Sequence, residues 1–307
     1  MGGGTVGHRG NVSVISGISG GSLLTALYAY GPEDFGEFDR TTADLLRGGL
    51  QAALIRRALA PAAITRNVLA AGRVLLPKRP GNQPRLRTAN RTDALLDELA
   101  YRAFGHRTLD QVTHPGIATV ITATDLRTSN AVRFGSVRSS CSAYGTITEP
   151  VTVAEAVTAS AAFPLLLPAI ERSYTFTRAG SEGPDRQALL LTDGGIYDNL
   201  GLTVLDPRRS ARHTAHVYDT DYIIACDAGR GRLPLVAGHF AGTRLRRNFD
   251  TVHRRAQDAA RASARAAPEP PTWPISPATS TRSEGRRSAP MIRNIHGMIL
   301  AMSDDGD

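Results

Sequence analysis

Lysine, cysteine and tryptophan are nearly missing from this chain: Lys78 is the one lysine among 36 basic residues, Cys141 and Cys226 are the two cysteines, and tryptophan occurs once. With a single lysine and no G-x-x-x-x-G-K-[ST] run, the sequence argues against a Walker-type nucleotide loop. Two unpatterned cysteines build neither a disulfide framework nor a zinc site. The reducing cytoplasm is therefore the expected compartment, and no metal or other cofactor is expected. Long apolar runs are absent too: the longest, 161–170, is interrupted by Pro164 and Pro168, well short of the ~20 residues of a membrane span. No basic segment leads into an apolar core at the N-terminus, so a secretory leader is not expected.

What is present points to a globular protein. Hydrophobic residues make up 41% of the 307 positions and charged residues 21%, enough for a real core and too little charge for a disordered chain. The net charge of +8 is carried almost entirely by arginine. Arg244, Arg246, Arg247, Arg254, Arg255, Arg261 and Arg265 crowd one expected helix. Few aromatics are interleaved and no nucleic-acid motif is present, so peripheral contact with an anionic membrane is expected in preference to DNA or RNA.

The sharpest local signal is Gly17-Ile18-Ser19-Gly20-Gly21. Val12, Val14 and Ile15 before it read as a buried strand, and Leu23, Leu24, Leu27 and Tyr28 after it recur at helical spacing. A serine at such a strand-to-helix turn is held in a strained conformation with its hydroxyl in open space, and the flanking glycines leave room for the neighbouring strand and helix. The helix that follows aims its positive end at the serine. This is the G-x-S-x-G arrangement of an acyl-transferring hydrolase. The competing reading is a phosphate-cradling turn. A second motif lies at Leu189-Leu190-Leu191-Thr192-Asp193-Gly194-Gly195. Three leucines deliver a carboxylate to the end of a buried strand, and two glycines permit a tight turn and a close backbone approach. The plainer alternative is an aspartate capping the next turn. As a base, Asp193 is weak unless burial raises its pKa.

Together these residues resemble the patatin-like phospholipases. The resemblance runs from about Asn11 to about Gly229, through Ser16–Ser22, Thr122-Ala123-Thr124-Asp125-Leu126, Ala159-Ser160-Ala161-Ala162-Phe163-Pro164, Asp193-Gly194-Gly195 and Asp198-Asn199. It implies an α/β fold with a central, mainly parallel sheet flanked by helices. It also implies hydrolysis of a lipid acyl ester, of phospholipase A or lysophospholipase type, with Ser19 as nucleophile and Asp193 as its base. Gly17, Gly20 and Gly21 would form the elbow, Gly20 N–H would be an oxyanion donor, and Gly194 and Gly195 would form the acid turn. The substrate would be a lipid ester, with no cofactor. Gly201 stands where many relatives carry a proline. The family's glycine-rich oxyanion loop precedes the elbow by a helix and a strand, whereas Gly10 and Ser19 are too close to hold both. An incomplete front end is therefore expected, and Gly2, Gly3 and Gly4 are not given the oxyanion role. A catalytically impaired relative that binds lipid or membrane surfaces is the alternative function. A Ser-His-Asp triad using His213, His216 or His253 is disfavoured, because an α/β-hydrolase places several strands before its elbow.

Along the chain, residues 1–267 are expected to form the hydrolase domain and 268–307 a Pro/Ser/Arg-rich linker and tail, with one short helix over Met291–Met302. Residues 35–74 read as two helices with Leu45, Leu46, Leu50, Leu54 and Ile55 on one face, and 77–91 as an exposed linker. Residues 93–104 read as an amphipathic helix through Leu95, Leu96, Leu99 and Tyr101. Strands are expected at 118–124 and 131–134, a helix at 152–162, and a late buried strand at 222–227.

Overall fold

The structure is a computed structural model that describes residues 12–47, 91–164, 167–178, 180, 183–205, 218, 222–226, seven separate positions between 251 and 262, and 298–302. The glycines of positions 2–4, the second helix expected within 35–74, the 77–90 linker and the three late histidines lie outside the described residues, as does most of the tail.

Strand β1, Val12–Ile18, runs into helix α1, Gly20–Ala29. Helix α2, Phe35–Arg47, follows. Helix α3, Arg91–Leu99, continues into a π-helical turn at Ala100–Phe104. Strands β2, Ala118–Asp125, and β3, Asn130–Gly135, form a hairpin, followed by the short β4, Ser140–Cys141, and β5, Gly145–Ile147. Helix α4, Val153–Ser160, precedes the long hairpin of β6, Ile170–Thr177, and β7, Asp185–Asp193. Strands β8, Tyr222–Cys226, and β9, Met298–Met302, complete the described elements.

The expected mainly parallel sheet is corrected by the observed pairings. Strands β2 to β7 close into a six-stranded antiparallel barrel, with β2 bonded to both β3 and β7. Among the described pairings only β1 with β2 is parallel; β9 joins β1 and β8 antiparallel to each. The physical reason is connection length. Parallel neighbours need a crossover of a dozen or more residues, but only 126–129 separate β2 from β3, 136–139 separate β3 from β4, and 142–144 separate β4 from β5. Each strand must fold straight back on its predecessor. Asp125 fastens the first of these turns, accepting from Arg127 N–H, Thr128 N–H and the Thr128 hydroxyl, and also from Leu190 N–H on β7.

The barrel interior is packed. Phe134 on β3 and Tyr174 on β6, from opposite sides of the ring, bring their rings to 6.0 Å, and Phe176 meets Tyr144 at 5.3 Å. Leu189, Leu191, Val132 and Cys141 are buried in the same cluster. Helix α1 lies on β1 and β2, α4 lies on β2 and β7, and α3 packs on α4. Helix α4 starts cleanly because the Thr152 side chain accepts from Glu155 N–H, a standard N-cap.

Three local expectations change as well. Tyr101 is 81% exposed rather than on the apolar face, because the turn after Leu99 is π-helical and rotates it outward. Strand β8 forms, but Ile224 and Cys226 are exposed. Met298–Met302 is a strand between β1 and β8, not the end of a helix: its apolar run satisfies its backbone by sheet pairing.

Candidate active site

Strand β2 is the template that assembles the site. One of its edges is shared by two strands: residues up to Thr122 pair with β1, and Ala123 onward pairs with β7. Ile18 sits beside Thr122 and Asp193 beside Ala123. The C-terminal ends of β1 and β7 thus arrive at adjacent β2 positions, and residues 174 apart in sequence become neighbours. Ser19 Oγ donates to Asp193 Oδ2 at 2.6 Å.

Ser19 has φ 51° and ψ −124°, in a region that non-glycine residues seldom occupy. It stands at the N-cap position of α1 without using its side chain as a cap. A serine here ordinarily bonds a first-turn N–H; this hydroxyl is committed to Asp193 instead. The first N–H groups of α1, beginning at Gly20, have no acceptor within the helix and lie at its positive end. The first turn is closed by Ser22, whose N–H and hydroxyl both donate to Ser19 O, at 3.1 and 2.5 Å. Gly17 is required by packing: a Cβ there would come within 2.5 Å of Thr25 Oγ1 and 2.8 Å of Ser22 Cα. Gly21 is buried in the same turn.

Asp193 is 2% exposed. Burial pushes its carboxyl up to about 6, while the hydrogen bonds from Ser19 and from Gly195 N–H pull it back. Gly195 N–H donates to Oδ1 at 2.7 Å, leaving Oδ2 to the serine. The backbone of Asp193 is held on both sides: its N–H donates to Ala162 O at 3.0 Å, and its carbonyl accepts from Thr124 Oγ1 at 2.9 Å. Gly194 lies so close to β2 that a Cβ would sit 1.9 Å from Thr122 O.

Behind the acid, Asp198 accepts from Leu200, Gly201 and Thr203 N–H and from the Thr203 hydroxyl. That loop packs on β1, where the Ser16 hydroxyl donates to Gly201 O at 3.2 Å. Gly201 has φ 66°, which proline cannot adopt, so the glycine at this position follows from the loop's course.

The structure brings together Ser19, Asp193, Gly17, Gly20, Gly21, Gly194 and Gly195. Sequence reading assigned no task to Ser160, Ala162 or Asp198. Their signal was membership of the two segments, Ala159–Pro164 and Asp198-Asn199, through which the resemblance runs. Among the described residues, no group of His, Cys, Asp and Glu side chains is placed to hold a metal ion. No helix among them is long and apolar enough to cross a membrane.

A model of the patatin-like phospholipase family matches residues 5–206, a span that contains both the serine and the aspartate. No curated protein matches the chain.

Proposed function

The chain belongs to the patatin-like phospholipase family, a family of lipid acyl hydrolases, and from that premise we propose that it cleaves lipid acyl esters with a Ser19–Asp193 dyad, in the manner of a phospholipase A or lysophospholipase. The observation that carries this reading is the 2.6 Å hydrogen bond from a serine in a strained strand-to-helix turn to a buried carboxylate.

In the acylation step Ser19 Oγ attacks the ester carbonyl carbon while its proton passes to Asp193 Oδ2. The carbonyl oxygen takes the negative charge, and Gly20 N–H at the positive end of α1 is the donor nearest in sequence to receive it. Collapse breaks the ester C–O bond, and Asp193 returns its proton to the leaving alcohol. Water then gives a proton to Asp193 and its oxygen to the acyl carbon. The second collapse frees the fatty acid, and the proton goes back to Ser19 Oγ.

Burial of Asp193 suits this task. A carboxyl near the ordinary aspartate range is a weak base toward a hydroxyl, and raising it to about 6 strengthens it while leaving it ionised at neutral pH. The net charge of +8 supports approach to anionic lipid surfaces, which sedimentation with anionic vesicles across a salt series reads directly.

Fluorophosphonate labelling combined with hydrolysis of a p-nitrophenyl ester tests the assignment. The expected result is labelling of the wild type and none of Ser19→Ala; full labelling of that variant would sink Ser19 as the nucleophile. Since Asp193 must be ionised to accept the proton, kcat/KM should rise with pH through a midpoint near 6. A profile flat from pH 5 to 8 removes Asp193 from the mechanism.

A further inference from the structure

We propose that Ser160 is a positioning residue for the nucleophile turn, its buried hydroxyl holding the Ser19 peptide in the orientation that aims Oγ at Asp193. The proposal rests on the hydrolase reading above and concerns a residue that touches neither the ester nor Asp193.

Ser160 ends α4 and is fully buried. Its Oγ accepts from Ser19 N–H at 2.9 Å and donates to Thr122 O at 2.7 Å. Making both bonds at once fixes the hydroxyl: the hydrogen goes to the carbonyl, and a lone pair faces the amide. Thr122 is the β2 residue beside which β1 ends, and its carbonyl is the atom that Gly194 crowds. Ser160 therefore ties the elbow to β2 at the junction where the nucleophile and acid strands meet.

This bond matters because of the backbone it restrains. With φ at 51°, Ser19 relaxes by rotating toward commoner dihedrals unless something opposes it. Its amide hydrogen points inward to Ser160, and a buried N–H without an acceptor costs free energy comparable to that strain. Removing the Ser160 hydroxyl takes away the acceptor, and the peptide turns to find another. That rotation swings Oγ off the Asp193 oxygen. The arrangement also means that the Ser19 N–H is already occupied and is not an oxyanion donor.

The acid half is registered separately. Ala162, two residues on, accepts from Asp193 N–H at 3.0 Å and from Thr192 Oγ1 at 2.9 Å. Losing the Ser160 hydroxyl should therefore disturb attack by the serine while leaving the Asp193 backbone in place, and, by releasing the Ser19 hydrogen bond that lowers it, should move the Asp193 carboxyl upward.

The test compares wild type, Ser160→Ala and Ser160→Thr by fluorophosphonate labelling rate, ester kcat and KM, pH profile, and hydrogen exchange at the Ser19 amide. In Ser160→Ala the labelling rate and kcat should fall by about 100-fold, the scale of a small misplacement of a reacting group. KM should stay in place, the pH midpoint should move upward because the Ser19 hydrogen bond that lowers the Asp193 carboxyl is lost, and Ser19 amide exchange should accelerate. Ser160→Thr, which keeps the hydroxyl, should recover most of the rate and the slow exchange. Wild-type labelling and unchanged Ser19 exchange in Ser160→Ala would overturn the proposal, as would a pH midpoint that moves down or an equal loss in Ser160→Thr. If the wild type itself fails to label, the hydrolase reading falls and this role in catalysis with it. Faster exchange in Ser160→Ala would then still locate the hold on the elbow, which separates the two failures.

Discussion

The two halves of the site are held by opposite means. The serine half is half-buried and stores its cost in the backbone, at a residue whose φ of 51° few side chains adopt. The acid half has ordinary backbone, φ −47° and ψ 131°, and stores its cost in a carboxylate almost shut off from water. Their glycines differ in the same way. Gly17 faces a threonine hydroxyl and a helix Cα, whereas Gly194 faces a β2 carbonyl that is locked into the sheet. Strain in a dihedral is indifferent to pH, and the cost of a desolvated charge is not. The contrast can therefore be probed by substitution on each side and by titration on one.

The largest effect should come from Gly194→Ala. A methyl group 1.9 Å from Thr122 O cannot be accommodated by a side-chain rotation, so β7 must separate from β2. A loss of about 3 kcal/mol or more, together with loss of ester hydrolysis, is expected in denaturant unfolding. A well-folded, active variant would mean that the acid turn is looser than its geometry.

Asp193→Asn should act in the other direction on stability. The folded-state value near 6 lies above the ordinary 3.8, so the folded protein holds this proton more tightly than the unfolded chain does. The resulting stabilisation is fully present below about pH 4 and is lost as pH rises through 6. Asparagine carries no charge to bury. The variant should match the wild type in acid and exceed it by about 2–3 kcal/mol at pH 8 while losing activity. Melting temperatures compared from pH 4 to 8 give the answer; a constant difference across that range would count against a desolvated carboxylate.

The smallest change is expected from Ser19→Gly. Glycine adopts the elbow's dihedrals without penalty, so the variant should gain about 1 kcal/mol over Ser19→Ala, read as a higher denaturant midpoint. Equal midpoints would place little strain at the elbow.

Much of the element map was legible, and the reasons are local. The strand into Ser19, the helix out of it, the 118–124 strand, its hairpin partner and the Thr152-capped helix each carry a period or a cap within a few residues. The β6 strand went unread although Tyr174 and Phe176 alternate with Thr175 and Thr177, the period-two signal of a half-buried strand. The two- and three-residue strands β4 and β5 are too short for any periodicity to register. The mainly parallel sheet was expected from the family resemblance alone, and the run of three leucines before Asp193 did not argue against it, since it suits a strand buried on both faces. Such runs are common in parallel sheets, yet here the burial comes from a closed antiparallel ring with helices against it.

The sequence by itself determined which residues end strands, where glycine leaves room, and which hydroxyl and carboxylate stand at turns, because these depend on a few neighbouring residues. Tertiary structure decided the rest. Only the folded chain sets the ends of β1 and β7 side by side on β2, lifts the Asp193 carboxyl by excluding water, and turns Ser160 toward the Ser19 amide. Those properties belong to distances and burial between segments far apart in the chain, and no local pattern of residue types encodes them.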